Sequence, residues 1–171
     1  MKIAETACNF LAVGLVGWSA DWAWGLPLIV LTVLIHVSGL GLVSQRVVHG
    51  DVGRMIERRH PRVAFVVVVG TTTLLATCLH GIEAGIWAIA YRYLGALPDF
   101  RSSMLYSLNA MTTYGHDSIE LQYHWKLLGA LEALNGLLLF GLTTAFLFAV
   151  AQRVWPLGRV RRHAAVRRAG K

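Results

Sequence analysis

Three long apolar stretches constrain this chain more than any other feature. They read PLIVLTVLIHVSGLGLV, AFVVVVGTTTLLATC and WKLLGALEALNGLLLFGLTTAFLFAVAQR. About 20 consecutive, mostly apolar residues suffice for a helix to cross a bilayer. Inside lipid every backbone N–H and C=O must find a partner within the protein, which leaves only helices and closed barrels. Runs of this length are helical, so the expected fold is an all-α integral membrane protein. Composition agrees, with 56% hydrophobic and 15% charged residues in 171, against about 25% charged in a soluble domain.

Four helices are expected, over residues 3–18, 26–47, 62–93 and 125–155. The first is short and carries Glu5 and Asn9. Lys2 followed by an apolar run resembles the start of a signal peptide, but those two polar residues and the immediate second span favour a retained helix. Thirteen of the sixteen Lys and Arg residues fall at the N-terminus, between residues 45 and 62, and in the tail from Arg153. The positive-inside rule puts all three places in the cytoplasm, with four spans in the cell inner (plasma) membrane and both termini cytoplasmic. Residues 94–124 then face outward, and Trp18, Trp22, Trp24, Trp87, Tyr91 and Trp125 read as an interfacial belt on that side. Three parts follow: an N-terminal helical hairpin (1–61), a module of two helices and the segment between them (62–155), and a basic tail (156–171). The tail either anchors the topology or binds anionic headgroups. The net charge of +7 sits at span ends rather than along a soluble face, which excludes nucleic acid as a partner.

The segment between the last two helices carries the chemistry. Pro98 ends the preceding helix, and Asp99 is a good N-cap. FRSSMLYSLNAM then makes about three helical turns, too few to span. It runs into MTTYGHDS. A short helix returning as extended chain is a re-entrant loop, tolerated at membrane depth only where protein or water surrounds it. Its C-terminal end would carry partial negative charge and favour a cation.

The strings LHGIEAGIWAIAYRYLGALPDF, SLNAMTTYG and WKLLGALEALNGLLLFGLTTAFLFAVAQR resemble, in order, the outer helix, pore helix and inner helix of the potassium-channel pore module. They are more closely similar to the small bacterial two-transmembrane ion-channel domain proteins. The resemblance covers residues 63–153. It implies a homotetramer in the lipid bilayer that conducts a monovalent cation passively, with a filter of backbone carbonyls. The family filter reads Thr-Val-Gly-Tyr-Gly-Asp. Without a gap this chain supplies Thr113, Tyr114, Gly115, His116, Asp117 and Ser118, so only Thr113 and Gly115 match. The implied ion pathway is Thr112, Thr113, Tyr114, Gly115, His116 and Asp117, with relaxed or altered selectivity. Rings of Asp117 would favour cations in general, and His116 is either a proton-sensitive ring or a loop residue without a role. Gly136 is either the inner-helix hinge the resemblance implies or a packing glycine. The alternative function is a non-conducting scaffold or sensor that keeps the architecture.

Charged groups within a bilayer are costly and face the protein interior. His80, Glu83, Glu132 and Asn109 are expected to pair as a polar brace behind the filter, the alternative being a proton relay. On the last helix Glu132, Asn135, Gly136, Leu139, Thr143, Phe146 and Val150 share one stripe. Gly81-x-x-x-Gly85 would let a neighbouring helix approach closely. His36 and His80 raise a haem reading, but counting from the span ends puts His36 mid-membrane and His80 nearer the outer surface. Cys8 and Cys78 read as small hydrophobes. No metal-ligand spacing, catalytic triad or phosphate loop is visible, so neither metal, cofactor nor enzyme activity is expected. No helix carries regularly spaced arginines for voltage sensing.

Overall fold

The computed structural model of the chain describes residues 2–48, 61–115 and 119–154, with side chains over 18–46, 62–115 and 119–154. Four α-helices follow in order: α1 (Lys2–Val43), α2 (Pro61–Tyr93), α3 (Phe100–Thr112) and α4 (Lys126–Val154). A π-helical turn extends α1 over Ser44–Val48, and a 3₁₀ turn, Tyr123–Trp125, leads into α4. No strand occurs among the described residues. Among the described residues three stretches are long and apolar enough to cross a membrane: Trp18–Arg46, Arg62–Tyr93 and Tyr123–Val154.

The break expected between residues 18 and 26 is absent, and α1 runs through it as one helix with Pro27 inside. Among the described residues three apolar helices meet the length criterion; the side chains of residues 3–17, in the first expected span, lie outside them. Asp21 and Gly25 look like turn residues but serve packing. Asp21 is buried, and its carboxylate accepts the Leu128 backbone N–H. That N–H belongs to the first turn of α4. At Gly25 a side-chain Cβ would lie 2.6 Å from Leu131 Cδ1, so glycine lets the two helices close.

Contacts divide the chain into two units, residues 1–36 with 80–139 and residues 37–79 with 140–171. In the first, α1 and α2 are antiparallel: Trp24 meets Tyr93 and His36 meets Glu83. α4 runs parallel to α1, with Asn135 Nδ2 donating to Thr32 Oγ1 at 2.9 Å. Between lipid-facing helices the hydrophobic effect is weak, and tight packing and interhelical hydrogen bonds take over. The core holds Trp87, Tyr91, Leu97, Tyr106, Leu121, Trp125 and Leu128. Tyr91 and Tyr106 pack edge to face, 5.3 Å apart at 80°, an arrangement worth about 0.5–1.5 kcal/mol beyond area burial. Of the six aromatics read as an interfacial belt, Trp87, Tyr91 and Trp125 are buried here, while Trp18, Trp22 and Trp24 stay exposed. The short helix α3 covers the first three, which sequence spacing alone does not reveal.

In the second unit Gly39 admits the Leu79 side chain, and Ala64, Val68, Thr72, Ala76, Thr143 and Val150 are buried. Thr72 turns its hydroxyl back to Val68 O at 2.6 Å, which satisfies it without a partner helix. The stripe expected on α4 is buried throughout except Phe146, which is half-buried. Within this one chain no described atom lies within 4 Å of a Cβ built at Gly81 or Gly85.

Candidate functional site

Two capped turns set α3 in place. The chain leaves α2 through Gly95 (φ 66°), with Ala96 N–H on Tyr91 O at 2.9 Å and Gly95 N–H on Arg92 O at 3.3 Å. This is the paired C-terminal closure that wants glycine in the left-handed region. Asp99 then caps α3 as its sequence suggests. Its two carboxylate oxygens accept the Ser102 N–H at 2.9 Å and the Ser102 hydroxyl at 2.7 Å.

One face of α3 is buried through Ser103, Tyr106, Ser107, Ala110 and Met111. Ser107 Oγ lies 2.8 Å from Ala84 O on α2 and also bonds Glu132 on α4. Tyr91 donates its hydroxyl to the other Glu132 oxygen at 2.5 Å. Glu132 is fully buried, so this set satisfies a polar group that would otherwise be costly. Tyr106 faces the same carboxyl. Burial first, and that neighbouring charge second, push its phenol up to about 12. Its hydroxyl abuts Gly129, where no Cβ fits.

Deeper along α4, Met111 meets Gly136. A Cβ at Gly136 would lie 2.6 Å from Met111 Cα and 2.9 Å from its carbonyl carbon. Gly136 therefore admits the backbone at the end of α3, which is the packing role left open by sequence. At about 1.5 Å per residue, Gly136 sits about 15 Å along α4 from Lys126, and Ala84 about 13 Å along α2 from Tyr93. From Met111 the chain returns to Leu121, which packs against Gly129.

The filter-like stretch starts at this end of α3. Thr112 bonds Leu108 O through its hydroxyl at 2.7 Å. Thr113 closes the helix in the left-handed region (φ 55°, ψ 24°), and Tyr114 N–H bonds Asn109 O at 3.0 Å. A β-branched residue at positive φ is a genuine outlier. Gly115 follows at φ 97°, a conformation suited to glycine. Thr112, Thr113, Tyr114 and Gly115 are all exposed, Tyr114 at 85%. His116 and Asp117 lie outside the described residues.

The four residues expected in one brace divide. Glu132 belongs to the set with Ser107 and Tyr91, whereas the Asn109 backbone carbonyl accepts the Tyr114 N–H at the end of α3. His80 and Glu83 belong to a second set with His36, which sequence reading did not join to them. His36 Nδ1 lies 2.8 Å from Glu83 Oε1, and His80 Nδ1 lies 3.3 Å from Oε2. The two rings are 5.0 Å apart, so the expected depth mismatch is corrected. By the register of Gly39 with Leu79, Arg62 starts α2 about three turns beyond Arg46, and counting from Arg62 overstates the height of His80. Adjacent helices joined by a short loop pack antiparallel, and that rule was the available signal. Direct ring contact leaves no thickness for a porphyrin between them.

Comparison with family models, curated proteins and solved structures finds no match for this chain.

Proposed function

We propose that this protein conducts cations passively across the membrane, through a pore assembled from four copies. The observation that carries the reading is the seat of α3. It runs parallel to α4, packs on α2 and α4 through small polar residues, and ends against Gly136 about 15 Å from the start of α4. With α2 and α4 in the bilayer, α3 and the return to Leu121 form a re-entrant loop. Such a loop is stable in lipid because protein covers its buried face. The C-terminal end of α3 directs about half a negative charge toward the membrane interior. Thr112, Thr113, Tyr114, Gly115, His116 and Asp117 line the path, and the exposure of Thr112, Thr113, Tyr114 and Gly115 within one chain suits a surface that faces an axis shared by copies. The basic loop and the basic tail face the cytoplasm of the plasma membrane.

Purified protein in liposomes tests this by potassium, sodium and proton flux. Gly115→Ala forces a Cβ onto a backbone at φ 97° and is expected to lower cation flux at least about tenfold, with expression unchanged. Absence of flux for every ion at every pH supports the scaffold reading instead.

A further inference from the structure

We infer that His36, His80 and Glu83 form a binding site for one divalent transition ion of the zinc class. The inference is independent of conduction, because it concerns side chains between α1 and α2 and needs no second copy. His36 and Glu83 are fully buried, and His80 is 14% exposed. Each residue offers one ligand atom, and these atoms all lie within 4.8 Å of one another.

The geometry fits a tetrahedral ion. Bonds of 2.0–2.1 Å set neighbouring donors about 3.3 Å apart, and two imidazoles on one such ion have centroids about 5 Å apart. Here the donor pairs are 2.8 and 3.3 Å apart and the ring centroids 5.0 Å. Small side-chain rotations bring all three onto one centre. Glu83 turns one oxygen toward the Nδ1 of each ring, so one ligand atom from each of the three residues faces the same space.

The chemistry also fits. Two neutral imidazoles and a carboxylate are ligands that zinc and its neighbours in the first transition row accept. Hard ions such as magnesium and calcium prefer all-oxygen shells. A buried carboxylate in an apolar layer needs a counter-charge, and a divalent cation supplies it. Three protein ligands leave a fourth position for water or hydroxide. The bound ion would tie α1 to α2 by bonds rather than by packing alone.

The test uses the full chain in mild detergent, stripped with a chelator and titrated with zinc chloride against a chromophoric competitor. One zinc ion per chain is expected. His80→Gln and Glu83→Gln each weaken it at least about 100-fold, while His124→Ala, in the turn before α4, changes nothing. Cobalt(II) chloride gives the visible absorption of a tetrahedral site in the parent and not in His80→Gln. Zinc raises the thermal midpoint of the parent and leaves that of His80→Gln unmoved. If Glu83→Gln fails to fold, the partly exposed His80→Gln carries the result. Absence of stoichiometric zinc binding, or equal affinity in His80→Gln, overturns the proposal and leaves a hydrogen-bonded triad.

Discussion

Glu132 and Gly136 stand one turn apart on α4 and meet the same short helix by opposite means. Glu132 reaches out to Ser107 and Tyr91, while Gly136 makes room for the Met111 backbone. Backbone atoms cannot rotate aside, so Gly136→Ala is expected to cost about 1–3 kcal/mol by overpacking, although alanine is the better helix former. Gly39→Ala is the matched control. Its Cβ would meet only the flexible end of the Leu79 side chain, and a helix-propensity gain of up to about 1 kcal/mol offsets the shift. Thermal unfolding in detergent compares the two, and an equal drop for both would show that Met111 is not held against Gly136. A glycine in an apolar run gives no hint of which kind it is. The distinction lies in the neighbour, which is 25 residues away in one case and 40 in the other.

At the scale of elements, α3 is held at its start by a cap and along its length by a buried face. Hydrogen bonds from Ser102 hold the Asp99 carboxyl below the usual carboxylate range. Its folded pKa is the lower one, so its contribution is complete above the ordinary carboxylate pKa of about 3.9. It is lost as pH falls through the depressed value. Asp99→Ala is therefore expected to unfold at lower temperature than the parent near neutral pH, with the difference closing in acid below about pH 4. A pH-independent difference would point to a cause other than the charged cap. Proline followed by Asp at the cap position was legible in the chain because capping is local chemistry. The continuity of α1 was not. Asp21, Gly25 and Pro27 resemble turn residues locally, yet they lie inside α1, where Asp21 and Gly25 pack against Leu128 and Leu131.

For the whole molecule, the exposed leucines, valines and phenylalanines on α1, α2 and α4 fit contact with lipid or with further copies. The conduction reading expects a tetramer. Native mass spectrometry from mild detergent should give four chains, and a monomer at all concentrations would remove the shared axis on which that reading stands. The sequence by itself determined that the chain is helical and apolar enough for a membrane, where its basic residues gather, and that a short capped helix stands between two long ones. These follow from composition, periodicity and capping, which act over a few residues. Tertiary structure alone decided that α1 is unbroken, that Trp87, Tyr91 and Trp125 are core, and that the acidic residues split into two sets. It also brought His36 to Glu83 across 47 positions. Helix–helix register decides these partnerships, and register is set by which surfaces fit, a property no single stretch of the chain contains.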